Sequence, residues 1–88
     1  MKKFTIELSA NAADIMERMA AREPALYKRV ERAIDDLEVD PFQGKALKGC
    51  LKGRFSYRVG SYRIIYAING HRLVVYVIDV GHRRDIYR

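Results

Sequence analysis

The chain reads as an α+β domain in the order β-α-α-β-β-β. A helical hairpin packs on one face of a mainly antiparallel four-stranded sheet, and a short basic tail closes the chain. Three observations predict this. Phe55 to Tyr87 holds alternating apolar runs parted by the turn dipeptides Gly60-Ser61 and Asn69-Gly70. The stretch before it repeats apolar residues at helical spacing on both sides of Pro24. Lys3 to Leu8, KFTIEL, alternates Phe4, Ile6 and Leu8 with polar neighbours, as a half-buried strand does. At 88 residues, 49% hydrophobic and 32% charged, residues 1–88 form one domain with a modest core, not a disordered chain.

In chain order, the first strand gives way to Ser9-Ala10-Asn11, where Asn11 suits a helix N-cap and Asp14 the first turn. Ala12, Ile15, Met16 and Met19 then share a helical face, the methionines as core filler. Pro24 ends this helix and opens the next, so the two form a tight αα-hairpin. The second helix turns Leu26, Val30, Ala33, Ile34 and Leu37 inward. Lys28, Arg29, Glu31, Arg32, Asp35 and Asp36 point largely outward as a solvated surface, and Asp40-Pro41 ends the helix. Phe42 to Lys52 reads as a connection anchored by Leu47 and Leu51. Its Lys45, Lys48 and Lys52 either solubilise a loop or rim a site for a polyanion.

Asn-Gly favours a type I′ hairpin and Gly-Ser a type II′ one. Two-residue loops would set Val59 opposite Tyr62, Arg58 opposite Arg63, Ile68 opposite His71 and Arg63 opposite Tyr76. One face then carries Phe55, Tyr57, Val59, Tyr62, Ile64, Tyr66, Ile68, Leu73, Val75 and Val77, the core face. The other carries Arg54, Ser56, Arg58, Arg63, Arg72 and Tyr76, with Ile65, Val74 and Ile78 among them. Opposed arginines repel, at roughly 0.2–1 kcal/mol. Either both splay into solvent, or the pair grips an anion, for which the planar guanidinium fork is suited.

Charge is unevenly placed. Residues 1–44 hold seven Lys/Arg against nine Asp/Glu, and residues 45–88 hold ten against two. A basic half of +8 on a near-neutral support of −2 is the footprint of a polyanion binder, though an acidic protein would suit it too. No apolar run is long enough to span a membrane and no signal-peptide pattern opens the chain, so a cytoplasmic location is expected. The lone Cys50 excludes an internal disulfide or a cysteine-rich metal site. No metal-ligand set or phosphate-cradling glycine loop is present, and no cofactor is expected. The tail, Asp79 to Arg88 (DVGHRRDIYR), sets basic residues beside an aromatic, a pattern suited to stacking and phosphate contact with single-stranded RNA.

LKG at Leu47–Gly49, YRVGSYRIIYAI from Tyr57 and VGHRRDIYR from Val80 resemble the RelE/ParE superfamily of type II toxins, and the resemblance spans essentially the whole chain. It implies a ribosome-dependent endonuclease that cuts messenger RNA in the A site by 2′-OH attack, without a metal. It implies a cognate antitoxin as partner, through which the pair would bind operator DNA. The ParE branch of the same fold implies the alternative of a gyrase inhibitor. A third possibility is an inactive member that only binds its antitoxin.

On the same resemblance Arg63 holds the scissile phosphate, Arg83 assists the leaving 5′-oxygen and Tyr87 stacks on the target nucleotide. RelE carries two lysines at i, i+2 on the preceding strand; here those positions are Ser56 and Arg58. Arginine is a poor base, so Arg58 would stabilise charge. His82 is the nearby side chain of a type suited to proton transfer near neutral pH. Lys48, Lys52, Arg54, Ser56 and Arg84 complete the expected RNA contacts. Ile65, Val74 and Ile78, if left uncovered, could receive an antitoxin helix.

Overall fold

The computed structural model describes residues 4–82. Strand β1 (Thr5–Leu8) leads into helices α1 (Ala10–Arg22) and α2 (Pro24–Val39), then into strands β2 (Lys45–Ala46), β3 (Phe55–Val59), β4 (Tyr62–Asn69) and β5 (Val74–His82). The strands form one sheet in the order β1-β5-β4-β3-β2, with β1 parallel to β5 and the other pairs antiparallel. This is the expected α+β architecture with a fifth strand added. Lys45–Ala46, expected as loop, pairs with Ser56 and Phe55. Two exposed residues carry no alternation that could have marked them as a strand.

Both helices bury their apolar stripes on one face of the sheet. Ala12, Met16 and Met19 of α1 and Val30, Ala33, Ile34 and Leu37 of α2 meet Val59, Ile64, Tyr66, Val75, Val77 and Val80. Glu23 alone separates the helices, and Pro24 occupies the first turn of α2, where its missing N–H costs nothing. The N-cap of α1 is Ser9, not Asn11. The Ser9 hydroxyl accepts from the Ala12 N–H at 2.9 Å and donates to the Ile78 carbonyl at 2.7 Å, tying α1 to β5. Asn11, two residues past the cap, instead donates to Asp79 Oδ1 at 3.0 Å. Leu8, expected inward, is exposed at the end of edge strand β1.

The β3–β4 hairpin has the expected register, with Val59 opposite Tyr62 and Arg58 opposite Arg63 around Gly60, whose φ is +61°. The second hairpin differs. Asn69 pairs with Val74, so the loop spans residues 70–73. Asn69 Oδ1 accepts from the His71 N–H at 3.1 Å and the Arg72 N–H at 3.0 Å, and Leu73 takes the left-handed conformation (φ 54°). The asparagine side chain thus caps a wider turn than the dipeptide implied. Ile68 consequently faces Val75 rather than His71. A β-bulge follows: Tyr66 faces Val77 but Ile65 faces Asp79, leaving Ile78 between the pairs. Arg63 therefore lies opposite Gly81, and Tyr76 lies opposite Ala67.

Tyr66 marks the centre of the core. Fully buried, it stacks on Phe55 with ring centroids 5.6 Å apart, and its hydroxyl donates to the Pro41 carbonyl at 2.7 Å. Burial pushes its pKa from 10.0 up to about 12. Gly44 passes so close that a Cβ there would collide with the Tyr66 hydroxyl.

Candidate functional site

The face of the sheet away from the helices is built by strand alternation. Phe55, Tyr57 and Val59 of β3 pack toward the helices, which turns Ser56 and Arg58 the other way, with Arg54 just before the strand in the same alternation. On β4 the same logic puts Tyr62, Ile64 and Tyr66 toward the helices and Arg63 and Ile65 away from them. Arg58 and Arg63 are direct cross-strand partners, roughly 5 Å apart at Cα. Arg54 lies ~13 Å from Arg58 along the strand at ~3.3 Å per residue.

Arg63 is half-buried on the central strand, flanked by Arg58 on one side and Gly81 on the other. The bulge places Gly81 there. Gly81 therefore brings no side chain directly opposite Arg63 on β5. Arg58 is exposed, and its Nε donates to the Gly60 carbonyl at 3.2 Å. That bond draws one guanidinium along the hairpin toward the turn, which eases the repulsion between the paired arginines. Ser56 is buried at 3% exposure and Ile65 at 4%, although both lie outside the helix-packed cluster. Ile65 is therefore not available to a partner as expected, while Val74 and Ile78 are half-buried.

Asp79, the one acidic residue on β3, β4 and β5, is engaged by Asn11 and by the Val80 N–H at 2.9 Å. Lys48, Lys52 and Arg54 are all exposed where the connection folds back on β3 through Leu47 N–H to Arg54 O at 2.9 Å and Arg54 N–H to Leu51 O at 3.1 Å. They extend the basic face beyond the start of β3.

His82 is not brought to this face. The bulge sets it opposite Tyr62, in an edge-to-face contact at 5.6 Å, on the helix side of the sheet. There it lines a groove with Ile15, Arg18, Met19 and Arg22 of α1. The irregular strand reverses the side that simple alternation assigns to it. Arg83, Arg84 and Tyr87 lie outside the described residues. Among the described residues, no cluster of three or more His, Cys, Asp or Glu could hold a metal, and no helix is long and apolar enough to cross a membrane.

A family model described as the ParE toxin of type II toxin–antitoxin systems matches residues 6–87. The chain is 36% identical over 86 residues to the toxin RelG of Mycobacterium tuberculosis, covering 97% of each chain. It is 31% identical to the toxin RelE of the same organism, covering 97% of this chain and 87% of that one. Among solved structures it resembles a chain of the RelBE2 toxin–antitoxin complex of M. tuberculosis, with a TM-score of 0.81 at 32% identity over 97% of both chains. The match runs through both helices and every strand of the sheet, and the chain belongs to the ParE toxin family of type II toxin–antitoxin systems, as a RelE-like member of the RelE/ParE superfamily.

Proposed function

We propose that the chain is a ribosome-dependent endonuclease that cleaves messenger RNA in the A site and is held inactive by a cognate antitoxin. The observation that carries this reading is the placement of Arg63. It sits half-buried on the central strand with glycine on one side and Arg58 on the other, on a face extended by Arg54, Lys48 and Lys52. A guanidinium fixed by the sheet before substrate arrives is suited to charge that develops on a phosphate.

In the reaction, the 2′-oxygen attacks the adjacent phosphorus and the bond to the 5′-oxygen breaks. A proton leaves the 2′-hydroxyl and one is delivered to the departing oxygen. The products are a 2′,3′-cyclic phosphate and a 5′-hydroxyl. Arg63 holds the non-bridging oxygens and Arg58 adds positive charge from the neighbouring strand. Arg83 assists the leaving oxygen, Tyr87 stacks on the nucleotide, and Ser56, Arg54, Lys48, Lys52 and Arg84 contact flanking RNA. His82 receives no proton-transfer role, because Tyr62 holds it on the other side of the sheet. The ribosome supplies the in-line orientation of the 2′-hydroxyl, a contribution of positioning rather than of a strong base.

The antitoxin is the protein partner, and binding to operator DNA passes through it. Support comes from the RelBE2 structure, in which the similar chain is complexed with an antitoxin. The ParE name of the matching family model favours one second reading, inhibition of gyrase. Induced expression followed by primer extension on cellular messages separates the two. Cuts phased with codons, absent in Arg63→Ala, are expected; gyrase-linked DNA breaks with intact messages would establish the second reading instead.

A further inference from the structure

A second basic feature lies off the Arg63 face. Between α2 and the turn end of β3 runs a groove of about 370 Å³, walled by Lys28, Arg29, Arg32 and Asp36 on the helix and by Tyr57, Arg58 and Gly60 on the hairpin. On the sequence alone the α2 cations read as a solvated surface. Three observations set them apart from one.

The first is charge. Four cations share the groove with a single carboxylate, Asp36. Among the described residues the ion pair seen is Arg18–Asp14 on α1, and none engages Lys28, Arg29 or Arg32. The second is the turn glycine. A Cβ at Gly60 would stand 3.0 Å from one terminal nitrogen of Arg29 and 3.5 Å from the other. The guanidinium of Arg29 thus lies across the hairpin turn in space that only glycine leaves. The third is Arg58, whose Nε bond to the Gly60 carbonyl brings a second guanidinium to the same turn. Two arginines from separate elements converge on one turn, with Arg32 and Lys28 within a helical turn of Arg29.

We infer that this groove binds the phosphate backbone of RNA, as a contact beyond the Arg63 site that meets it at Arg58. Arginine forks match phosphate oxygens bidentately, and cations one helical turn apart, about 5–6 Å at Cβ, suit successive phosphates of one strand. An acidic polypeptide fits less well. The groove offers no large aliphatic anchor pocket, and the β3 edge left without a strand partner beyond Ser56 is too short to pair an added strand. The inference does not require that the bound RNA be cut.

The test measures binding of a fluorescein-labelled oligouridylate by anisotropy across a salt series, in the full chain and in its Arg63→Ala form. The triple change Lys28→Ala/Arg29→Ala/Arg32→Ala is expected to weaken binding on the order of 10²-fold at ~0.1 M salt. The slope of log affinity against log salt should fall by about 2 in both backgrounds, each lost single-strand contact removing ~0.7. Should the triple variant fail to fold by circular dichroism, Arg32→Gln is expected to lower the slope by about 0.7. Unchanged affinity and slope would overturn the inference, as would binding that depends on Arg63 and not on these three residues. A labelled polyglutamate that binds as tightly as the RNA, and is lost in the same variants, would assign the groove to an acidic protein and overturn it equally. Loss of cleavage in Arg63→Ala with groove binding intact separates this inference from the proposed function.

Discussion

At the residue scale the proposed chemistry rests on the fork of Arg63 rather than on its charge alone. Arg63→Ala should lower cleavage on the order of 10²–10³-fold, the usual loss when one charge-stabilising donor is removed. Arg63→Lys, which keeps the charge and loses the planar geometry, should recover only part of it in the same assay. Tyr66 governs stability instead. Tyr66→Phe strands the Pro41 carbonyl in the core and should cost about 1 kcal/mol in urea unfolding. Its raised pKa has a further consequence. The neutral hydroxyl is favoured in the folded state, so its contribution is complete below pH 10.0 and is lost as pH rises toward about 12. Wild type should lose stability over that window more steeply than Tyr66→Phe. The pairing of Arg63 with Arg58 was legible from Gly60-Ser61, whereas its other neighbour Gly81 was not, since the bulge at Ile78, three residues earlier on β5, decides that pairing.

Elements were legible where a local rule dominates. Gly60 has to supply the positive φ of a two-residue turn, and the β3–β4 register follows from it. Gly60→Ala should therefore cost about 1 kcal/mol or more. Asn69-Gly70 misled because the asparagine carboxamide captured two backbone N–H groups and opened the loop to residues 70–73. The Ile78 bulge left no mark in composition, and it decides more. Before it, Val75 and Val77 face the helices; after it, Val80 and His82 do. Plain alternation from Val77 through Ile78 would drive Asp79 toward the core and expel Val80, and the bulge prevents this. Ser9 shows a cap whose second bond, to Ile78, no sequence rule could supply.

At the scale of the whole molecule the helical layer leaves one sheet face to carry arginines, and the net charge of +6 is concentrated in the half of the chain that builds that face. That asymmetry and the element order were both readable beforehand. The parallel seam between β1 and β5 and the short β2 were not, because pairing between distant segments depends on the assembled sheet. The most direct test of the central claim uses purified ribosomes programmed with a message whose A site is empty, mapping RNA 3′ ends after adding wild type or Arg63→Ala. A single cut within the A-site codon, ending in a 2′,3′-cyclic phosphate and nearly abolished by Arg63→Ala, is the expected result. Cleavage undiminished in Arg63→Ala, or no ribosome-dependent cut by wild type at all, would contradict it.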